Sequence, residues 1–330
     1  MTVLIVTRRS IPVAGVVAAL RQRGEDAVVL HTDAVPRTTC LSLREDGAVV
    51  VRQDGHEDVV LDGLRSVWYR RMAVQPDLPA DTPADVKRAV ADELRAFLRG
   101  VLAASRAPVF PPKWRIAQAD LRPRQLSLAR AAGLDVPRSL TTTDLDAARA
   151  FVQALGGRAV TKLYTSVPVR EDAQSADVMM TTPVTSADLA AMDPAELQLC
   201  PATFQEHLDK AAEYRVTVVG TQLFTARVAA GGTAGEVDWR RAGQELGPQW
   251  QAAELPAEVQ AALLRLMDTL VLDYGSADIV ETTDGRFVFL EVNPAGEYLW
   301  VEHLFADRLS AALADLLTGA VPSRLYGDWG

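Results

Sequence analysis

Residues 2–6 (TVLIV) form a short apolar run, a segment of helical period follows to about Arg23, and a second apolar run occupies 27–31 (AVVLH). This order predicts the β-α-β opening of an α/β domain. The first turn, Thr7-Arg8-Arg9-Ser10, contains no glycine, so the dinucleotide-binding fingerprint is absent. Runs at 38–43 and 48–53 flank Glu45-Asp46-Gly47 and read as a hairpin, and 65–70 (RSVWYR) reads as another strand. An amphipathic helix is expected from about Ala84 to Ala104, then a strand at Val109-Phe110 that Pro111-Pro112 closes. The double proline marks the first boundary and sets off an N-terminal unit of residues 1–112.

Beyond it, Pro123 to Ala132 has the pattern of a helix with proline in its first turn and Gly133 as its C-cap. Pro137 starts a strand, and Thr141-Thr142-Thr143-Asp144 supplies the N-cap of a helix that runs to about Leu155 and ends at Gly156-Gly157. Ala159 to Leu163 is a strand carrying Lys162, with 178–182 as the segment to pair with it. These elements make residues 113–200 a small α+β unit. The remainder, 201–330, offers a strand from Thr203 to Glu206, a hairpin around Gly220-Thr221, a Gly-rich loop at 230–235 and a helix from about Pro256 to Leu272. A second hairpin around Asp284-Gly285 and a terminal helix from about Ala306 to Leu317 complete it.

The chain has 330 residues, which at ~150 residues per domain fits two domains or one elaborated α/β unit. With 48% hydrophobic and 23% charged residues it can bury a large core, which excludes disorder and collagen-like or disulfide scaffolds. A net charge of -9 argues against a nucleic-acid partner. The apolar stretch from Ile11 to Leu20 is too short to span a bilayer and has no basic region before it, so neither a membrane segment nor a signal peptide is expected. Cys40 and Cys200 are too few and too far apart for a metal knuckle or a disulfide framework, which fits a reducing cytoplasm. Only four of the 34 basic residues are lysines, so a lysine at a buried-looking position is informative.

The richest stretch is Ala277 to Asn293, ADIVETTDGRFVFLEVN. Two β-rich runs flank Asp-Gly, a strong hairpin signal. A two-residue loop at Asp284-Gly285 makes Val280 face Phe289 and Asp278 face Glu291, with Asn293 on the same face. Two carboxylates brought together are destabilising unless neutralised. With an amide oxygen beside them they form an oxygen-only ligand set suited to Mg²⁺ bridging phosphates. The alternative is a solvated acidic pair at a sheet edge, against which stand the flanking Phe287, Val288, Phe289 and Leu290.

Asp278 followed by FLEVNP at 289–294 resembles the C-terminal metal site of the ATP-grasp ligases. Together with WYRR at 68–71, QLSLARAAGLDVPRS at 125–139, FQEHLDKAAEYRVTVVG at 204–220, DWRR at 238–241 and FLEVNPAGEYLW at 289–300, it resembles the ATP-grasp peptide maturases of the microviridin, or graspetide, type. The resemblance spans nearly the whole chain in order. It implies an N-terminal α/β pre-grasp domain (1–112), a central ATP-grasp subdomain (113–200) and a C-terminal one with the metal site (201–330), the two α+β subdomains enclosing ATP.

On that resemblance Gln205-Glu206-His207-Leu208 is the hinge that reads adenine, through the Glu206 backbone carbonyl or side chain and the Leu208 amide, and Glu213 holds the ribose hydroxyls. His207 reads as a surface histidine of the hinge. Arg215 alternates with Thr217 on a strand, either as a phosphate clamp or as an ordinary salt bridge. Lys162, at the end of an apolar strand, is expected on the ATP phosphates rather than snorkelling at the surface. Arg122 stands where the family has a second phosphate-contacting lysine, keeping the charge but not its point-like geometry. Asp238 and Arg240 of DWRR are expected to face phosphate and acceptor, the alternative being a solvated cluster. Arg70 and Arg71 are expected to point into the same cleft, and Trp300 to belong to the core.

The implied activity is an ATP- and Mg²⁺-dependent ligation in which a substrate carboxylate becomes an acyl-phosphate that a hydroxyl or amine captures. The implied partner is a ribosomal precursor peptide with a leader and an acidic, hydroxyl-rich core. A ligase of free amino acids or protein termini, or a nucleotide-binding protein without turnover, are the rival readings. Ester or amide chemistry, ring number and oligomeric state, a homodimer included, stay open.

Overall fold

The computed structural model describes residues 1–35, 38–46, 48–53, 59–60, 63–70, 72, 74, 76, 78–104, 107–162, 181–230 and 249–329. The N-terminal part consists of β1 (Thr2–Thr7), α1 (Ala14–Gln22), β2 (Asp26–His31), β3 (Thr39–Leu43), β4 (Val49–Gln53), β5 (Val59–Val60), β6 (Leu64–Tyr69), α2 (Ala84–Ala104) and β7 (Val109–Phe110). Four of its strands pair in parallel in the order β2-β1-β6-β7, and β3-β4-β5 form a small separate sheet. The unbroken apolar run of β1 follows from its position: Leu4 and Val6 pack towards Leu98, and Val3 and Ile5 towards Val16 and Leu20. A parallel strand buried on both faces has no polar side to display.

Next come α3 (Lys113–Ala119), α4 (Arg122–Ala131), β8 (Ser139–Thr142), α5 (Leu145–Ala154), β9 (Arg158–Lys162), β10 (Thr182–Thr185), α6 (Ser186–Ala191), α7 (Pro194–Leu199) and β11 (Ala202–Glu206). Asp144 caps α5 as the sequence predicts, accepting from the amides of Asp146 (2.9 Å) and Ala147 (3.3 Å). The sheet runs β10-β9-β11-β8 with antiparallel neighbours. Leu145, Ala148 and Val152 of α5, with Leu189 and Leu197, cover its face carrying Ala159, Val184 and Phe204. The opposite face presents Lys162, Thr203 and Thr141 in one cross-strand row and Val160, Gln205 and Ser139 in the next. The strand that pairs with β9 is Thr182–Thr185, not 178–182. Helices α3, α6 and α7 were not expected.

The last part holds β12 (Lys210–Val219), β13 (Gln222–Ala229), β14 (Gln251–Ala252), α8 (Ala257–Leu270), β15 (Tyr274–Thr282), β16 (Phe287–Asn293), α9 (Leu299–Glu302) and α10 (Arg308–Thr318). Its sheet runs β14-β13-β12-β15-β16. Helix α8 packs Leu263, Leu266 and Met267 under Val216, Ala277, Ile279, Phe289 and Val292. That leaves the alternate residues of β12, β15 and β16 for the other face. Trp300 is partly buried against the core, edge-on to Trp250 at 5.0 Å.

The β15–β16 hairpin departs from the expected two-residue loop. Thr282 pairs with Arg286 around three residues, with Gly285 at φ 84°, so Val280 faces Val288 instead of Phe289. A loop of three residues with glycine in the left-handed region moves the register by one. A β-bulge at Leu290 moves it back, and Asp278 faces Glu291 as predicted.

Candidate active site

The free faces of the two antiparallel sheets enclose a cleft of about 290 Å³, lined by Arg122, Lys162, Thr203, Gln205, Leu290 and Glu291 among others. Across the larger sheet, Arg215, Asp278 and Glu291 occupy one cross-strand row on β12, β15 and β16. Thr217, Ser276 and Asn293 form the adjacent row, and Glu213, Val280 and Val288 flank it on the hinge side. The bulge turns two successive residues, Leu290 and Glu291, to the cleft, while Phe289 and Val292 enter the core. Apolar wall and carboxylate thus stand side by side.

Each carboxylate of the row meets a guanidinium. Arg215 Nη1 donates to Asp278 Oδ1 at 2.8 Å and its Nη2 to the Glu297 carbonyl at 3.2 Å. Arg122 Nη2 stands 3.1 Å from Glu291 Oε2. Burial pulls the Arg215 pKa down, but the charge and hydrogen bond of Asp278 outweigh it and hold the group above its ordinary value. Arg215 therefore forms the salt bridge that was one of its two expected roles, in a row that faces the cleft. Arg122, expected on phosphate, lines the cleft and pairs there with the acidic row.

Asp278, Glu291 and Asn293 offer oxygen donors from neighbouring rows of neighbouring strands, the donor chemistry of a hard divalent cation that keeps part of its shell for other ligands. The Asn293 Oδ1 accepts from the Ala295 amide at 2.9 Å, which fixes the amide and uses one of its two lone pairs. The donor set fits the group.

At the hinge, Val160, Lys162, Gln205, Glu206, His207, Leu208, Lys210 and Leu290 line a smaller lobe. Gln205 is buried and donates to Ser139 Oγ at 2.9 Å. The Glu206 carboxylate accepts from Arg286 Nη2 (2.9 Å) and the Arg138 amide (3.1 Å), so of the two expected adenine contacts the side chain is already engaged. Glu213 is buried with Lys210 Nζ 2.9 Å from its Oε1, so the expected ribose ligand carries an ion pair on one oxygen. His207 sits against Arg158 (3.3 Å) and Asp209 (3.6 Å).

Arg70 corrects the expectation most directly. It is 1% exposed and closes on the backbone of Ala295 and Gly296 and on the Glu297 carboxylate, so its guanidinium is committed to protein groups. Arg71, Asp238 and Arg240 lie outside the described residues. Sequence reasoning missed Gln125, Leu290, Tyr274 and Glu297. Gln125, Leu290 and Glu297 had a signal, each lying in a motif quoted for the resemblance, and Tyr274 had none.

Two α+β units facing each other across a cleft, with an acidic row on one sheet and a lysine on the other, constitute an ATP-grasp fold behind an N-terminal parallel sheet. A family model described as the MvdD pre-ATP grasp domain matches residues 2–116. The macrocyclase MdnC from Microcystis aeruginosa MRC, solved bound with the precursor peptide MdnA, is 33% identical, with 96% of this chain and 99% of that one covered and a TM-score of 0.83. A RiPP-associated ATP-grasp ligase from Chryseobacterium gregarium, solved in complex with ADP and a leader and core peptide, is 26% identical over 98% of both chains, with a TM-score of 0.91. The macrocyclase MdnB from Microcystis aeruginosa MRC is 29% identical over 96% of this chain and 98% of that one, with a TM-score of 0.77. No match was found among the curated proteins. The chain belongs to the ATP-grasp peptide macrocyclases of the microviridin, or graspetide, type.

Proposed function

We infer that this protein is an ATP-dependent ligase that activates Asp or Glu side chains of a ribosomal precursor peptide as acyl-phosphates and joins them to Ser, Thr or Lys side chains. The observation that carries this reading is the in-register row Arg215–Asp278–Glu291, whose Glu291 lines the cleft, in a chain similar along its length to a macrocyclase bound with a precursor peptide. Residues 1–112 act as the pre-grasp domain, 113–200 as the central subdomain and 201–330 as the subdomain with the metal site.

ATP lies with its base in the hinge lobe, against Leu290 and Gln205 and the backbone of Glu206 and Leu208, its ribose towards Glu213 and its phosphates towards Lys162. Asp278, Glu291 and Asn293 would hold Mg²⁺, which when bound neutralises phosphate charge and orients the reacting oxygens. Arg215 and Arg122 add fixed positive charge beside the transferring group. The substrate carboxylate attacks the γ-phosphorus and ADP leaves. The peptide hydroxyl or amine then attacks the acyl carbon, gives up its proton, and inorganic phosphate departs. The chain's task is to align and desolvate these groups, with no protein nucleophile required. Arg240 supplies local positive charge to an acidic peptide that the protein's own -9 repels, and Asp238 faces the hydroxyl or amine acceptor.

No helix among the described residues is long and apolar enough to cross a membrane, and neither Cys40 nor Cys200 forms a disulfide, in keeping with a site of action in the cytoplasm. The test is incubation of the purified chain with ATP, Mg²⁺ and candidate precursor peptides carrying their leaders. Peptide-dependent ADP release with loss of one water per cross-link is expected. Turnover with free amino acids and none with peptide would replace this reading.

A further inference from the structure

We propose that Arg70 is a positioning residue for the metal-binding end of β16, holding from the N-terminal sheet the turn that follows Asn293. The proposal rests on the metal-site reading above. Arg70 directly follows β6, and its amide donates to the Val6 carbonyl of β1 at 3.0 Å, so its backbone belongs to the parallel sheet. Its guanidinium crosses to the C-terminal unit. Nη1 donates to the carbonyls of Ala295 (3.3 Å) and Gly296 (3.2 Å), and Nη2 pairs with the Glu297 carboxylate. The group is 1% exposed, with its carbon 5.9 Å from the Trp68 ring and 5.5 Å from the Tyr298 ring.

Each of the three residues it grips is also tied to the acidic row or its neighbours. The Ala295 amide donates to Asn293 Oδ1 at 2.9 Å, and the Gly296 amide to the Asn293 carbonyl at 3.1 Å. The Gly296 carbonyl accepts from Tyr274 Oη at 2.5 Å, and the Glu297 carbonyl from Arg215 Nη2 at 3.2 Å. The turn has no room to shift towards the sheet: a Cβ on Gly296 would stand 2.5 Å from Ser276 Cβ and 3.1 Å from Arg215 Nη2. Arg70 presses it from one side and the sheet stops it on the other.

A buried guanidinium is a poor device for stability, since apolar packing of similar volume serves as well or better. What it supplies is a rigid planar fork that holds two carbonyls and a carboxylate in a fixed geometry, where the three donors of a lysine rotate about a point charge. Groups that orient a metal ligand without touching the metal set its affinity. Arg70 acts through the turn on Asn293 and on the Arg215 guanidinium, and has no contact with substrate in this role.

The test compares Arg70→Met, Arg70→Lys and Gly296→Ala with the wild-type chain. The readouts are Mn²⁺ titration of the ADP-loaded protein followed by electron paramagnetic resonance, ADP affinity without metal, and steady-state ligation. Arg70→Met should weaken Mn²⁺ binding at least about ten-fold and lower kcat, with metal-free ADP affinity nearly unchanged, and Arg70→Lys should restore part of the loss. Gly296→Ala leaves Arg70 intact and displaces the same turn from the sheet side, so it should weaken Mn²⁺ binding too. It carries the test if Arg70→Met fails to fold. Wild-type Mn²⁺ affinity in a folded Arg70→Met chain, or in Gly296→Ala where that chain does not fold, overturns the proposal. Unchanged Mn²⁺ binding in Glu291→Gln would instead overturn the metal-site reading on which it stands.

Discussion

The side chain of Gln125 completes the free edge of β16 as a neighbouring strand would: its Oε1 accepts from the Val292 amide and its Nε2 donates to the Val292 carbonyl, both at 2.8 Å. Val292 lies between the two proposed metal-ligand positions of that strand, Glu291 and Asn293. The same Nε2 also donates to the Ala119 carbonyl at 2.8 Å, so one buried amide joins α3, α4 and the acidic strand. A sheet edge buried without such a partner would strand two backbone groups.

Gln125→Leu keeps the volume but removes the partners of these groups, and should destabilise the protein by about 2–4 kcal/mol, the penalty of two or three buried polar groups left unpaired. Urea unfolding gives the value. A loss under ~0.5 kcal/mol would mean that water takes the place of the amide.

Glu291→Gln and Asp278→Asn should each lower peptide-dependent ADP release by at least about 100-fold at saturating Mg²⁺, because each removes a ligand charge and keeps the shape. Their stabilities should differ. Arg122 is 41% exposed and loses little when Glu291 is neutralised, whereas Arg215 is 10% exposed and is left buried beside an uncharged partner. Thermal unfolding should place Asp278→Asn below Glu291→Gln by about 1–3 kcal/mol. Equal stabilities would contradict this account of the row, and near-normal turnover in either variant would remove it from the chemistry.

Lys162→Ala should weaken binding of a non-hydrolysable ATP analogue by about ten-fold or more, the worth of one charge-assisted contact to phosphate. Calorimetry is the check. Unchanged affinity would leave Lys162 as a wall of the cleft only.

Arg240→Ala should sharply reduce dehydration of the precursor, seen by mass spectrometry as water lost per cross-link, with ATP affinity little altered. Equal loss of both would place Arg240 on the phosphates. Loss of neither would make DWRR a solvated segment.

The order of the main elements was legible because it depends on local patterning, namely apolar runs, the Asp144 cap and the Asp-Gly turn. The meeting of Asp278 with Glu291 was read from a two-residue loop and holds because the bulge at Leu290 cancels the longer loop. The capping box of Thr185 with Asp188 and the Asp193-Pro194 start of α7 were equally local signals that the reading passed over. What Gln125 and Arg70 bind was illegible for a different reason. Their partners lie 167 and 227 residues away, and nothing in the neighbouring sequence says which backbone a buried amide or guanidinium will meet. An arginine at a strand end beside a cleft looks the same in sequence whether it reaches ligand or a protein turn.

The extra residue in the Thr282–Arg286 loop and the extra residue at Leu290 are a matched pair of phase errors. Without the bulge, the three-residue loop would set Leu290 opposite Asp278 and send the Glu291 side chain into the core in place of Val292. A single-residue deletion within 283–285 leaves the Thr282–Arg286 pair and every pair beyond it in place, so among homologous chains this loop can change length without moving Glu291, whereas a slip of β16 against β15 cannot be tolerated.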